Sequence, residues 1–533
     1  MIMKKFTILA VNSLLLCLTI ALQAQQITLS NVLYDSLQIG IKAHSVVATN
    51  DNGYIIVGEA VSQKGLIVKV DSMGNLLWNK TIDNHNTNIF PDVILNNIIS
   101  TNDSCYVIVG EAFNAITGVF DACCIKINSI GDTLWSKVIT CNGNNSTALS
   151  VQQTNDAGYI LTGNAYLNNT GDNKIFATKL NFAGNLEWTN ILTGGNNSIS
   201  ANSVKQTTDS GYVIIGYMEN ISPYDPNAFL LKLSSNGVLS WANKYYFASA
   251  DYCSGNDVII SDNGFLCYLN TGYATTLMKT DFLRNILGIK SYYGSSGYLY
   301  YGNPTPKLHK ALDNGYVFVN GTGNVCESYC ELIKTDSTGI LSWSKTLFLG
   351  AVDLIESEKK ELLIVGNGPL CAVKSPQVFS PQIGIIKTDS LGNAINCVSS
   401  INLATAISNL ISSSATFTAL SGATENTIYP GIGSIGMAIY PGCVDIIGGI
   451  HESKLDNVIS VYPNPSNGIF KFQSNESKPY QINVYNTLGE KIYQTGIKNQ
   501  ECEIDLSFQP RGIYFYQAIF SNNIFAAGKL IIK

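Results

Sequence analysis

The sequence predicts an all-β chain built from repeated units of nearly equal length, and two recurring patterns carry that prediction. All five tryptophans end one pattern, Lys-x-Asp-x-x-Gly-x-x-x-Trp, complete at Lys69, Asp71, Gly74 and Trp78. The intervals from Trp78 to Trp135, Trp188, Trp241 and Trp343 are 57, 53, 53 and 102 residues, and the last is twice 51. A second pattern, Asp-Asn-Gly-Tyr from Asp51 to Tyr54, returns in step around Tyr106, Tyr159, Tyr212, Phe265, Tyr316 and Leu362. Repetition at this period marks a unit that cannot bury its apolar faces alone and must stack on its neighbours.

Within each unit the Asp-Asn-Gly-Tyr half reads as a hairpin. Asn-Gly supplies the positive φ of a tight turn, and the flanking Val, Ile and Tyr suit a pleated surface. In the other half, Leu66 to Val70 forms a strand, Asp71 to Gly74 turns the chain, and Leu76 to Lys80 returns it. The Asp carboxylate accepts backbone N–H groups, while the glycine takes the left-handed conformation. Four strands per unit follow, the content of one propeller blade. Two further copies lack tryptophan. One has Lys279, Asp281 and Arg284, with Leu287 or Gly288 near the Trp position, and the other has Lys387, Asp389 and Gly392, with Asn396 there. The count is seven, so residues 25–397 are expected to form a seven-bladed β-propeller.

Tryptophan at a fixed place per blade is expected to wedge neighbouring sheets apart, each indole contributing about 4 to 6 kcal/mol gross if fully enclosed. The lysine that recurs in all seven copies lies on the third strand. There its stem covers apolar surface while its ammonium reaches solvent or a turn carboxylate. Asp-x-x-Gly-x-x-x-Trp resembles the tryptophan-docked propellers of the quinoprotein-like repeat group, with a turn one residue shorter. The resemblance implies the architecture, and no quinone or other cofactor is expected.

The chain ends indicate destination. Residues 1–24 combine Lys4 and Lys5 with an apolar run from Phe6 to Leu22 and a small residue before Gln25, the pattern of a secretory signal peptide. No transmembrane span is expected in the mature chain. From about Asp456, four blocks stand in order. They are Val461-Tyr462-Pro463-Asn464-Pro465-Ser466-Asn467-Gly468, Val484 to Glu490, Pro510-Arg511-Gly512-Ile513-Tyr514, and Gly528 to Ile532. They closely resemble the type A C-terminal sorting domain of the type IX secretion system. This resemblance implies a small Ig-like β-sandwich over residues 456–533, recognition by that system's translocon, and export from a Bacteroidota-type bacterium through the periplasm to the outer surface or the medium.

Residues 398–455, rich in Ser, Ala, Thr, Ile and Gly, are expected to be a linker with some β-structure, with Cys397 to Cys443 as one guessed disulfide. Cys326 and Cys330 are a second possible bridge. Cys105, Cys123 and Cys267 fall within strand patterns and read as free core residues. The cysteine spacings show no paired zinc motif, and no metal is expected.

Charged residues make up 13% of the chain and the net charge is −6, so no basic stripe is available for nucleic acid. The two arginines are Arg284 and Arg511, too few for a sialidase-type arginine clamp. His44, His85, His309 and His451 are scattered without triad or metal-helix spacing. If a ligand binds, propeller geometry places it at the channel mouth, near His44, Asn202, Asn256, Asp257 and Asp353. The expected function is a non-catalytic binding or adhesion propeller for an unknown glycan or protein. The alternative is a secreted carbohydrate-active enzyme with a channel-mouth carboxylate pair.

Overall fold

The computed structural model describes residues 29–35, 40–60, 64–83, 93–114, 118–141, 145–166, 173–194, 198–219, 226–247, 252–271, 274–293, 307–322, 329–347, 349–367, 382–394, 459–474, 480–486, 491–497, 501–520 and 523–533, together with seven short strands between 398 and 441. The signal-peptide segment, Asn396 and the cysteines at 326, 397 and 443 lie outside the described residues. Those described are all-β, without a helix. Two units separate, Met1–Val444 and Asp445–Lys533.

The first unit is propeller-like, with seven antiparallel sheets of five strands each. The first sheet takes four consecutive strands, Ile41–Ala48, Tyr54–Ala60, Lys64–Val70 and Leu76–Asp83, and the next five follow the same plan. In the seventh, Gly350–Glu356, Leu362–Asn367 and Ile383–Lys387 are completed by the N-terminal strand Leu29–Asp35, which pairs antiparallel with Ile383–Lys387. Buried apolar residues fall into seven clusters, each shared by two adjacent sheets. One of them joins Leu363, Val365 and Ile385 of the last sheet to Ile41, Val46 and Ile56 of the first, so the ring closes.

The segment expected as a linker with some β-structure supplies seven short strands that form a belt. Val398–Ser400, Ala404–Ala406, Leu410–Ser414, Thr418–Leu420, Ala423–Thr427, Gly431–Gly433 and Met437–Pro441 run back around the ring, adding the fifth, outermost strand to the sixth, fifth, fourth, third, second, first and seventh sheets in turn. Each belt strand pairs with an edge whose N–H and C=O groups otherwise face outward, a standing invitation to intermolecular pairing.

The repeated lysine is a staple between the two hairpin turns of one sheet. Lys69 reaches Asp51 at 2.6 Å, Lys126 reaches Asp103 at 2.6 Å, Lys179 reaches Asp156 at 2.9 Å and Lys232 reaches Asp209 at 2.8 Å. Lys334 pairs with Asp313, and Lys387 pairs with Glu361 at 2.9 Å. Lys279 is exposed instead, in the one sheet whose first hairpin turns on Asp262-Asn263 alone.

The tryptophans dock between sheets but are half-buried, not enclosed as expected. Trp78, Trp135, Trp188 and Trp343 each lie against the turn glycine of the following sheet, Gly131, Gly184, Gly237 and Gly392. Behind three of the indoles stands the fully buried aromatic of the next sheet's second strand, with centroids 5.8 Å apart for Trp135 and Tyr159, 5.7 Å for Trp188 and Tyr212, and 5.9 Å for Trp241 and Phe265. The wedge is therefore shared, the tryptophan closing it from outside. Where the fifth sheet has Arg284 in place of the turn glycine, the guanidinium lies 5.3 Å from the Trp241 ring, a cation–π contact.

Of the cysteines, Cys123, Cys267 and Cys330 are buried free thiols, and Cys105 is half-buried in a turn. Burial pushes the Cys123 thiol up to about 12, so it stays protonated and packs as a small hydrophobe.

The second unit has a three-stranded sheet, with strands Ile459–Tyr462, Ile469–Ser474 and Glu501–Asp505, and a four-stranded sheet of Lys491–Ile497, Tyr480–Tyr485, Gly512–Phe520 and Asn523–Ile532. Phe470, Phe472, Ile482, Val484, Ile504 and Leu530 form its core. Asn464 stitches the first sequence block to the last, donating to Lys529 O at 2.6 Å and accepting from Ile531 N at 2.9 Å.

Candidate functional site

The innermost strand of six sheets carries a β-bulge, at His44, Asn96, Leu149, Asn202, Asn256 and Val352. The second strand approaches the bulge so closely that only glycine fits in the first four sheets. A Cβ on Gly58, Gly110, Gly163 or Gly216 would stand within 2 Å of a carbonyl oxygen of the inner strand. Bulges re-aim side chains. Here they turn the next residue of each inner strand toward its neighbour around the ring axis.

Those next residues are Ser45, Asn97, Ser150, Ser203, Asp257 and Asp353. Lys307, immediately before Leu308 of the short sixth-sheet strand, stands at the same register. They bind one another from sheet to sheet. Ser45 Oγ donates to Asp353 Oδ2 at 2.8 Å, Asn97 Nδ2 to Ser45 Oγ at 3.1 Å, and Ser203 Oγ to Asp257 Oδ1 at 2.6 Å. Backbone N–H groups join the ring: Val46 to Asp353 at 3.1 Å, Val151 to Asn97 at 3.2 Å, Val204 to Ser150 at 3.2 Å and Leu308 to Asp257 at 3.0 Å.

A cavity of about 190 Å³ opens on this ring, lined by both carboxylates with Asn96, Asn97, Asn202, Asn256, Lys205, Lys307 and His309, and by apolar Ile98, Ile99, Leu149 and Val151. Four of the five residues expected at the channel mouth, Asn202, Asn256, Asp257 and Asp353, line it together. His44 does not. It is buried, with Nδ1 3.0 Å from Leu95 O, and burial lowers its pKa, which keeps the ring neutral. Asn96 makes the corresponding bond to Ala148 O at 3.0 Å and Asn202 to Gly255 O at 2.7 Å, so three bulge residues tie one sheet to the next.

Lys205, Lys307, His309, Asn96 and Asn97 were not singled out from the sequence. Lys307 Nζ lies 2.9 Å from Asp353 Oδ2, and His309 Nε2 lies 3.1 Å from Asp353 Oδ1. Burial alone would raise the Asp353 pKa. The Lys307 charge and the His309 hydrogen bond outweigh it and hold the carboxyl well below the usual carboxylate range. Asp353 is therefore ionised at neutral pH and is no proton donor. Among the described residues there is no cluster of His, Cys, Asp or Glu able to hold a metal ion, and no helix long and apolar enough to cross a membrane.

Residues 460–533 match the family described as a secretion system C-terminal sorting domain. That domain directs export through the type IX secretion system, so the chain goes to the cell surface or the extracellular space. No curated protein matches the chain. Among solved structures, a protein of unknown function from Bacteroides caccae is 11% identical, over 59% of this chain and 93% of that one, at a TM-score of 0.32. Drosophila Semaphorin 2a is 8% identical over 93% and 96%, at 0.37. PorZ, a surface component of the type IX secretion system of Porphyromonas gingivalis, is 8% identical over 92% of each chain, at 0.14. Likenesses this distant carry no inference about function.

Proposed function

We propose that the chain is a non-catalytic, seven-bladed β-propeller, exported by a signal peptide at 1–24 and an Ig-like sorting domain at 456–533, that binds a glycan or protein at the cell surface or after release. The translocon is the partner of residues 456–533. The axial ring carries this reading, because its two carboxylates are bound internally. A glycosidase needs one carboxyl held protonated as general acid, whereas Asp353 is held ionised by Lys307 and His309. A rigid ring with a polar cavity at its axis and loops at its rims is a binding scaffold.

One observation favours the second reading, a carbohydrate-active enzyme: Asp257 and Asp353 line the same cavity. A polysaccharide array scored for both retention and cleavage separates the two. Retention without release of products supports binding. Product release abolished by Asp257→Asn would establish the enzyme instead.

A further inference from the structure

Taking the cavity as a binding site, as proposed above, we infer that its ligand is a small molecule or chain end bearing a single carboxylate, held by Lys205 and Lys307. Hydrogen-bond capacity in the cavity is lopsided. Asp257 accepts from Ser203 Oγ, Val258 N and Leu308 N, and Asp353 accepts from Ser45 Oγ, Val46 N, Leu354 N, His309 and Lys307. Asn97 spends its amide on Ser45 and its carbonyl on Val151 N, and Asn96 and Asn202 spend theirs on main-chain carbonyls. Both carboxylates are thus largely occupied as acceptors, whereas the Asn96 and Asn202 bonds draw on amide N–H groups.

Donors remain. Lys205 Nζ is ion-paired with Asp257 at 3.8 Å, too far for a hydrogen bond, and its side chain is 32% exposed. Lys307 bonds Ser45 Oγ and Asp353 and keeps a third N–H. A lining that offers N–H groups and few acceptors selects an acceptor-rich ligand, and charge-assisted bonds to a carboxylate use those donors best.

Charge selects among anions. Two ammonium groups face two carboxylates, so the lining sums to no net charge and each added negative charge on a ligand meets Asp257 and Asp353, which favours a monoanion over a phosphate dianion. Ile98, Ile99, Leu149 and Val151 line the rest, so the acid sits on a body with C–H surface. At about 190 Å³ the cavity is smaller than a drug-sized pocket and admits a sugar acid or a peptide C-terminus, not a polymer.

The test is calorimetric titration of the full exported chain with glucuronate, glucuronamide, N-acetylalanine, N-acetylalaninamide and inorganic phosphate. Each acid is expected to bind more tightly than its amide and than phosphate, and the tighter acid tells sugar from peptide. Lys205→Gln should weaken the acid by about 10-fold or more with an unchanged melting temperature. Lys471→Gln, in the sorting domain, should leave binding unchanged. Amides that bind as well as the acids, phosphate that binds as tightly, an unaffected Lys205→Gln, or no titratable heat would each overturn the inference. An array ligand retained equally by Lys205→Gln and not displaced by either acid would sink the carboxylate assignment while leaving the binding function standing. A chain that retains nothing on the array and cleaves its glycans would sink the binding function itself.

Discussion

Trp188 packs against Gly237 of the next sheet, so close that a Cβ there would stand 2.8 Å from the indole Cε3. Gly237 also has φ +82°, a conformation that L side chains rarely adopt. The two residues lie 49 apart in sequence, and each is fixed by the repeat, the glycine by its turn and the indole by the space over it.

Gly237→Ala therefore meets both a steric and a backbone penalty, and should destabilise the ring by about 2 kcal/mol or more. Trp188→Ala should cost about 2 to 3 kcal/mol, less than a fully enclosed aromatic, because the indole is half-buried and Tyr212 behind it stays. Chemical denaturation of the two variants and their double mutant checks both. The double mutant should cost less than the sum, since each single change already opens the same contact.

The turn carboxylates make stability depend on acid. Burial alone would raise the Asp51 pKa, but hydrogen bonds from Lys69, Thr49 and Gly53 N bring it down to about 2. Asp156 is likewise held at about 2, the bonds from Thr154 and Lys179 outweighing burial, and Asp209 at about 2, chiefly by Lys232. Folded pKa values lie below unfolded ones, so the stabilisation is complete above about pH 4 and is lost as pH falls through about 2. Melting temperature should hold from neutrality to about pH 4 and drop below it. Asp51→Asn, Asp156→Asn and Asp209→Asn combined should lower the neutral-pH plateau and flatten the drop.

The belt covers seven sheet edges with backbone pairs. Deleting residues 398–441 should leave the seven outer strands unpaired and drive self-association, read by light scattering after size-exclusion chromatography. A deletion that stays monomeric with unchanged amide-exchange protection on Leu239–Phe247 would argue that the belt does not hold these edges.

Removing residues 456–533 should strand the protein in the periplasm. Protease shaving of intact cells should then leave it untouched, whereas the full chain is digested or found in the medium.

The repeats were legible because each solves the same local problem with the same residues. Asp51 and Lys69 had to recur together once the lysine ammonium was tied to the hairpin carboxylate, and Trp135 with Gly184 once the indole lay on the turn. The belt was not legible. Thr418 pairs with Thr193 and Val398 with Leu347 by backbone register, in strands of three to five residues, too short for periodicity or motif to mark them. Within the site, Asp257 and Asp353 stood out by their place on inner strands. Lys307 and His309 did not, since the partner carboxylate of His309 is 44 residues away and the sixth inner strand is only three residues long. Register against Tyr316 would have found Lys307, at the position that Ser45 holds relative to Tyr54.

A crystal structure of the exported chain tests the central claim most directly. The account predicts seven radial sheets, closed by Leu29–Asp35 against Ile383–Lys387, with each outer edge paired to one strand of residues 398–441. An open array of sheets, or a 398–441 segment detached from their edges, would contradict it.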